Sequence, residues 1–464
     1  MSGQARTSIA IIGGGATGSL LALHLLRSTR EDLRVTLVER RPDPGKGLAY
    51  STSTDLHLLN VAAGRMGAFT DQPDHFWNWI VNNGLDGGQS STDFLPRHLY
   101  GRYLAELVGE AAGDGTAKAR LRVVQDNCIG VTPTLSGVSV QLESGVSLPS
   151  HVAVLAVGHD PEPGPQFGFA ARPCIADELE AEPDDDVLIL GTGLSMIDAW
   201  LTLASRGHRG RIVVLSRRGL LPHPHSAERR PLQLDLADIP LGTEFSYFVR
   251  WFTRLISEAE ATGRNWRDVI DGVRPFNQRI WMDWPVSARR RFLQHYKAWW
   301  DIHRHRIPQD IRNRAEKALG DGSLELIAGR VVELEEQEGR KRLRFRRRGA
   351  RQTEEDAFDR VFDCTGIIRD ITQSSSPVIR NLVERGLARP DPLRLGLDVT
   401  AECALISADG RASDRIFAAG PPTRGAFFEV DAIQEIRQQC AALARRLAEP
   451  ATAAPPGAQA RPAP

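Results

Sequence analysis

Cysteine is scarce in this sequence: the five residues among 464 stand far apart, at Cys128, Cys174, Cys364, Cys403 and Cys440. No C-x-x-C pair occurs, which excludes a thioredoxin-type dithiol centre and a ribbon-type zinc site. An odd number of scattered cysteines also disfavours a disulfide framework, so we expect a reducing compartment and a cytoplasmic location. Neither an apolar signal core nor a run of the ~18 apolar residues that span a bilayer is present, so no membrane association is expected.

An excess of either charge is missing as well. The 58 Lys and Arg residues balance 58 Asp and Glu residues, so no global attraction to nucleic acid is expected. The basic run at 340–348 alternates and has acidic residues on both sides, which favours a hairpin with cross-strand charge pairs. Two histidine pairs, His223 with His225 and His303 with His305, lack an acid or cysteine companion at metal spacing, so no metal site is expected.

The N-terminal residues have the pattern of a βαβ unit. Ser8–Ile12 is a short apolar run that predicts a buried parallel strand, and Arg34–Glu39 is a second strand that ends in an acid. Between them lie a G-x-G-x-x-G turn, with its glycines at Gly13, Gly15 and Gly18, and a leucine-rich helix over 19–27. Strand, turn, helix and terminal acid together predict dinucleotide binding.

Each part of this first unit has a physical task. Gly13 permits the tight turn, Gly15 lets the backbone approach a pyrophosphate, and Gly18 allows the helix to pack closely on the strand. The N–H groups around Ala16 and Thr17 at the helix N-terminus face the phosphates. Glu39 is placed to bond the ribose hydroxyls, with Arg40 beside the adenosine, and this acid favours FAD.

A second unit repeats the pattern over residues 184–216. The turn at Gly191 and Gly193, followed by Ser195, keeps the first two glycines and has Met196 in place of the third. Its second strand ends in Ser216, Arg217 and Arg218 rather than in an acid. Guanidinium groups suit the 2′-phosphate that an acid would repel, so we expect NADPH here. The alternative is that both arginines are solvated surface residues.

The remaining chain predicts further strands, helices and a tail. Apolar strands close with Gly158, Gly366 and Gly420, and a helix covers 432–447. Residues 244–318 hold six of the nine tryptophans in helical-looking sequence, which predicts an insertion. The indoles either pack a small core or form the wall of a substrate pocket, and both readings stay open.

These patterns predict an α/β protein with two Rossmann-like domains. The FAD-binding domain is expected at 1–160 and 361–448, interrupted by an NAD(P)H-binding domain at 161–243 and 319–360. The helical insertion occupies 244–318, and the Pro/Ala-rich residues 449–464 are expected to be disordered.

Several blocks resemble a largely uncharacterised family of bacterial FAD/NAD(P)-binding proteins. The resemblance begins with the glycine turn at 13–18 and extends to about residue 445. The other blocks, in family order, are residues 47–50, 58–61, 66–67, 94–101, 191–198, 216–225, 299–307, 420–425 and 435–437. This family resembles, more distantly, the class B flavin monooxygenases, which include N-hydroxylases.

The resemblance implies FAD and NADPH as cofactors and assigns further site residues. It implies that Asn60, Met66 and Arg97 lie near the isoalloxazine and that Arg424 lies near the ribityl chain or ring edge. Cys128 falls on the strand that meets adenine in such folds, or is simply a packed thiol. Gly420 is followed by Pro421, where many relatives have an aspartate, so backbone N–H groups or Arg424 must replace that contact.

Three functions stay open. In the first, NADPH reduces the flavin and O2 then oxygenates a nucleophilic N or S atom of a small molecule, with an amino-acid-like substrate as a candidate. The second is a flavin-dependent dehydrogenase or oxidase without oxygen insertion, and the third is a non-enzymatic, nucleotide-binding redox sensor. The F-x-G-x-x-x-H signature of Baeyer–Villiger enzymes is absent. Since the cofactor carries the chemistry, no catalytic acid or base is assigned.

Overall fold

The structure is a computed structural model that describes residues 7–113, 120–159, 170–171, 179–226, 228–365 and 370–449. Gly366 and the Pro/Ala-rich residues from 450 onward, two subjects of the sequence-based predictions, lie outside this range.

The described residues form fifteen strands and twelve α-helices. The strands are β1 (Ser8–Ile12), β2 (Arg34–Glu39), β3 (Leu121–Gln125), β4 (Cys128–Thr134), β5 (Gly137–Leu142), β6 (Ser147–Ser150), β7 (Val152–Leu155), β8 (Val187–Leu190), β9 (Ile212–Ser216), β10 (Leu324–Gln337), β11 (Arg340–Arg347), β12 (Glu354–Phe358), β13 (Arg360–Asp363), β14 (Ala404–Ile406) and β15 (Ala412–Ala418). The α-helices are α1 (Ala16–Leu26), α2 (His75–Asn82), α3 (Arg97–Ala112), α4 (Leu194–Ser205), α5 (Phe245–Ala261), α6 (Trp266–Val273), α7 (Asn277–Asp283), α8 (Val286–Arg291), α9 (Lys297–Arg304), α10 (Gln309–Asp321), α11 (Pro377–Glu384) and α12 (Ile433–Ala448).

The first compact unit draws its described residues from Met1–Ser51, Val61–Pro163 and Ile367–Pro464. Its main sheet has the order β14-β15-β7-β1-β2-β3, with every pair parallel except β14 with β15. The apolar residues of β1 are buried on both faces, as a central parallel strand requires. Since β1 lies between β2 and β7, the direction of strand progression reverses there, which is where open α/β sheets bind ligands.

A separate three-stranded antiparallel sheet, β4-β5-β6, belongs to the same unit. Residues 122–132 and 138–143 alternate as the two strands of a hairpin would. Instead, β3 joins the main parallel sheet and only β4 pairs with β5. The chain turns at Asp126 and Asn127, two residues typical of turns, which separates the two strands.

The second unit draws its described residues from Thr52–Asn60 and Gly164–Gly366. Its sheet has the order β12-β11-β10-β9-β8-β13, in which β10, β9, β8 and β13 are parallel. This placement corrects the predicted boundary at 361, because β13 pairs with β8 instead of joining the first sheet. Residues 52–60 also group with this unit, although the prediction placed them in the FAD domain. The buried His57 imidazole explains their position, since it hydrogen-bonds Thr202 of α4 at 3.0 Å.

The basic run forms the expected hairpin. β11 pairs antiparallel with both β10 and β12, so that arginines of β11 stand opposite glutamates. Arg344, for example, lies opposite Glu333 and contacts its carboxylate at 2.6 Å. The positive charges of this run are therefore balanced across strands.

The residues between β9 and β10 are mainly helical, as predicted for 244–318. Aromatic rings build a core of their own, with Trp284 in edge contact with Phe245 and Phe248 at 5.0 and 5.1 Å between ring centroids. Trp281 and Trp284 are buried, which supports the packing interpretation for these two indoles. α10 departs from the predicted insertion because Ile311 and its neighbours pack in the core of the parallel sheet. It is thus the crossover helix that leads into β10.

A buried carboxylate holds this helical region to the loop after β9. Asp271 of α6 accepts from Arg229 Nε at 2.7 Å and from Arg306 Nη2. Asp271 and Arg306 are 8% and 6% exposed. Burial raises the pKa of Asp271, but the two guanidinium groups outweigh burial and hold the pKa below its ordinary value.

Candidate functional site

The first glycine turn is shaped by close backbone approaches. Gly13 has φ +101°, and a Cβ there would come within 2.5 Å of the Ala156 carbonyl oxygen at the end of β7. A Cβ on Gly18 would lie 1.8 Å from the Gly13 carbonyl oxygen. Side chains at these positions would force helix, turn and strand apart, so both glycines have the roles that the spacing predicted.

The N-terminus of α1 is open to a ligand. Its N-cap is Gly15, and no side chain in the described part of the protein caps it. The first N–H groups, which include those of Ala16 and Thr17, therefore remain donors for an anion such as a pyrophosphate. A Cβ on Gly15 would lie 3.3 Å from the Cα of Gly47, so two glycine backbones face each other at this point. These features fit a dinucleotide.

Glu39 lies against this turn and is 8% exposed. One carboxylate oxygen accepts from Gly14 N–H at 2.6 Å and the other from Arg41 N–H at 2.9 Å. Each oxygen keeps a further lone pair for ribose hydroxyls. Arg40, which was expected beside the adenosine, is exposed. The neighbouring Arg41 instead donates from Nη1 to the Gly47 carbonyl at 2.8 Å, a role that the sequence did not reveal.

Two more glycines lie at the same sheet edge. Gly158 follows β7 with φ +73°, and a Cβ there would meet none of the described residues within 4 Å. Gly420 follows β15 with φ +72°, and a Cβ there would lie 2.5 Å from the Thr17 hydroxyl. The Gly420 N–H donates to Gln439 at 2.7 Å, which fixes the loop without the usual aspartate. Arg424 donates from Nε to the Leu395 carbonyl, so that part of its guanidinium is occupied by the protein.

His159 is a residue that sequence reasoning missed. It follows Gly158, and its buried Nδ1 has no hydrogen-bond partner among the described residues. Burial lowers the pKa of His159. The negative charge of Asp431 raises this pKa in part, and the positive charge of Arg424 lowers it further. A buried polar atom without a partner marks a place where a ligand can bind. Its position after a strand-closing glycine was the available signal.

The residues expected near the isoalloxazine are divided between the units. Met66 is buried and Arg97 begins α3, both in the first unit, whereas Asn60 belongs to the second. Arg97 acts electrostatically on Tyr50, whose pKa is raised by burial and lowered in part by this cation. Cys128 is buried with its thiol directed to the Gly130 carbonyl, and burial raises its pKa to about 12, as expected of a packed thiol.

The second glycine turn repeats the geometry of the first. Gly191 has φ +100°, and a Cβ there would lie 2.4 Å from the Cys364 carbonyl oxygen at the end of β13. The Gly191 N–H donates to Leu215 O at 2.8 Å, as Gly13 N–H does to Val38 O. Met196 takes the place of the third glycine and is fully buried in the core. Gly193 caps α4 with open space before it, and Ser195 in the first turn is exposed.

The end of β9 carries no acid. The Ser216 hydroxyl accepts from Thr192 at 3.2 Å and from Gly219 N–H at 3.0 Å, which ties the strand end to the glycine turn. Arg217 is exposed, whereas Arg218 is half-buried and donates to the His295 carbonyl at 3.2 Å. The two arginines therefore have different surroundings, which the sequence did not show.

No group of three or more His, Cys, Asp or Glu side chains is arranged for a metal ion within the described ranges. None of the helices described by the structure is both long and apolar enough to cross a bilayer.

Comparison with known proteins shows what this chain is similar to. Residues 10–160 match the model of the FAD-NAD(P)-binding family. An uncharacterised protein of Mycobacterium tuberculosis is 24% identical over an alignment that covers 95% of each chain. A Kutzneria ornithine N-hydroxylase, solved with reduced FAD, NADP+ and L-ornithine, is 12% identical and covers 96% of this chain and 99% of its own, with a TM-score of 0.67. A cadaverine monooxygenase from Erwinia amylovora, solved with FAD, is 16% identical with 98% coverage of both chains and a TM-score of 0.64.

These likenesses confirm the α/β fold and, at the level of the fold, the resemblance to N-hydroxylases, and the family match supports a dinucleotide-binding domain over residues 10–160.

Proposed function

We propose that the first unit binds FAD, that the second binds NADPH, and that the chain is a flavin-dependent monooxygenase that oxygenates an amine nitrogen of a small molecule. The observation that carries this proposal is the pair of equivalent glycine turns with opposite partners. Glu39 lies against the first turn, while Ser216 ends the strand beside the second turn and Arg217 follows it. A carboxylate accepts hydrogen bonds from ribose hydroxyls and repels a 2′-phosphate, whereas a guanidinium group attracts the 2′-phosphate.

The comparisons support nitrogen over sulfur as the oxygenated atom. Both solved structures named above belong to enzymes whose substrates carry primary amines, ornithine and cadaverine. Their likeness to this chain extends over nearly all of its length. We therefore propose an amine-bearing substrate of amino-acid or diamine size.

Bound FAD would supply the redox and oxygen chemistry, and the chain would supply binding and orientation. The open N-terminus of α1 would hold the pyrophosphate and Glu39 the ribose. His159 and Arg424 lie at the edge where β7 and β15 end, and we propose that they border the flavin or the substrate. None of the four described cysteines forms a disulfide, and burial raises the pKa of Cys403 to about 12. Such thiols are poor redox relays, which favours electron transfer without a dithiol.

Oxygen labelling tests the proposed reaction. Purified protein supplied with FAD, NADPH and labelled O2 is expected to consume NADPH faster when its amine substrate, drawn from a panel of diamines and amino acids, is present. One labelled oxygen should appear in a hydroxylamine product by mass spectrometry. Substrate oxidation without label, or peroxide as the sole product across the panel, would establish the dehydrogenase or oxidase function instead.

Removing the exposed guanidinium after β9 should change cofactor preference. Arg217→Ala is expected to raise KM for NADPH by roughly tenfold or more, because a charge-assisted contact to a phosphate is worth about 1.5–3 kcal/mol. KM for NADH, which lacks the 2′-phosphate, should change little. Steady-state kinetics with both cofactors checks this.

Arg209→Ala is the matched control, since Arg209 is an exposed arginine of the same unit that pairs with Asp184. Equal losses with NADPH and NADH would show that Arg217 supports the fold rather than the phosphate.

A further inference from the structure

The loop after β9 runs directly beside helix α9. His223 N–H donates to the Ile302 carbonyl at 3.0 Å, and Ile307 N–H donates back to the His223 carbonyl at 3.0 Å. Arg267 adds a bond from Nε to the Pro224 carbonyl at 3.0 Å. Backbone bonds in both directions hold the end of α9 against this loop. The helical region therefore borders the place where the second strand of a βαβ unit meets an adenosine.

Arg218 and Trp299 meet at this border. The guanidinium carbon of Arg218 lies 5.7 Å from the centre of the Trp299 ring, in a cation–π arrangement. Arg218 is also bonded to the His295 carbonyl, which belongs to the π-helical segment Phe292–Tyr296. π-Helical turns are rare and occur often at functional sites. Arg218 is thus held against the helical region by two contacts and differs from the exposed Arg217.

Trp299 is unusual among the tryptophans of this region. It is 42% exposed, whereas Trp281 and Trp284 are 1% and 8% exposed. Its backbone is fixed, since its carbonyl lies 2.7 Å from His303 Nδ1, and the His303 ring contacts Trp266 at 4.6 Å. A large exposed aromatic ring on a fixed backbone is costly to leave in water and suits stacking on a flat partner.

We propose that Trp299 and Arg218 form a platform on which the adenine ring of NADPH stacks, while Arg217 takes the 2′-phosphate. This inference rests on the proposed function of the second unit and assigns a role to the Trp-rich helices in cofactor binding. Stacking on an aromatic ring recognises adenine through its π-face and adds a cation–π contribution from arginine. We therefore expect the platform to contribute to the binding of adenosine ligands with and without a 2′-phosphate, whereas Arg217 contributes only where that phosphate is present.

Two adenosine probes separate these roles in the full-length holoenzyme. Adenosine 2′,5′-bisphosphate carries the 2′-phosphate and AMP does not, and calorimetry gives Kd for both. Trp299→Ala is expected to raise both Kd values by roughly tenfold. Trp299→Phe keeps an aromatic face and should stay within about threefold of the wild type. Arg217→Ala should weaken the bisphosphate and leave AMP unchanged.

Tyr247→Ala is the matched control, because Tyr247 is an aromatic residue of the same helical region with 45% exposure. It should bind both probes like the wild type. Probe binding should also quench tryptophan emission in the wild type, and this quenching should be lost in Trp299→Phe.

Wild-type affinity for both probes in Trp299→Ala, with Arg217→Ala still impaired, would overturn the platform and leave the proposed NADPH site intact. Failure of the wild-type protein to bind either probe would overturn both.

Discussion

Replacing Gly15 with valine is expected to yield a folded protein that no longer retains FAD. A Cβ at this position would lie 3.3 Å from the Gly47 Cα, and the two methyl groups of valine need still more room in front of the α1 N-terminus. Overpacking of this kind costs about 1–3 kcal/mol, which corresponds to roughly five- to 150-fold in affinity. The ratio of flavin to protein absorbance after purification, with FAD titration of the apoprotein, measures the effect.

The matched control for this change is Gly109→Val. Gly109 is an exposed glycine of α3, in the same unit, and a Cβ there meets nothing within 4 Å. This variant should keep wild-type FAD content, and both variants should show the wild-type far-UV circular dichroism. Full FAD content in Gly15→Val would place the pyrophosphate elsewhere and remove the assignment of the first turn.

The βαβ units are the part of the fold that the sequence predicted best. β1 and β2 have the predicted bounds, and β8, α4 and β9 all lie within the range 184–216 that was predicted for the second unit. The physical reason is local: parallel strands buried on both faces are short apolar runs, and a glycine turn separates each from its helix. The positions of Glu39, Gly13 and Gly191 beside the glycine turns could be predicted for the same reason, because they follow from place within a unit.

Sheet membership, in contrast, depends on long-range pairing. β7 and β13 are both short apolar strands. β7 pairs in parallel with β1 and β13 with β8, the strands that precede the two glycine turns. Nothing in β13 itself shows that it pairs with β8, which lies about 170 residues earlier in the chain. α10 poses the same difficulty, since only its contacts with the sheet separate it from the preceding helices.

Side-chain roles in the candidate site were hidden where they depend on tertiary contacts. Arg40 and Arg41 are adjacent and chemically identical, yet only Arg41 bonds Gly47. Arg217 and Arg218 are likewise adjacent and chemically identical, yet only Arg218 is known from the structure to pack on Trp299. The Nδ1 of His159, which has no partner in the described part of the chain, likewise becomes visible only when its surroundings are known.

Removing the charge of Asp271 should be among the most destabilising single changes in the second unit. Asp271→Asn leaves Arg306, which is 6% exposed, without its carboxylate partner. Breaking a buried ion pair by changing one member costs about 3–5 kcal/mol, because the remaining charge stays desolvated. Urea unfolding followed by tryptophan emission is a suitable measurement, since six of the nine tryptophans lie in the helical region that Asp271 anchors.

The control for this change is Asp184→Asn, which removes a carboxylate that also pairs with arginine but on the surface. Arg209 and Asp184 have side chains that are 66% and 74% exposed, so the loss should stay within about 1 kcal/mol.

The pH dependence of stability gives a second check on the role of Asp271. Because the pKa of Asp271 is lowered on folding, its contribution is complete above the unfolded value of about 3.9 and is lost as the pH falls through the folded pKa. The stability difference between wild type and Asp271→Asn should therefore be constant near neutral pH and shrink in acid. A loss no larger than that of Asp184→Asn, or a difference that grows in acid, would show that Asp271 does not hold the helical region through its charge.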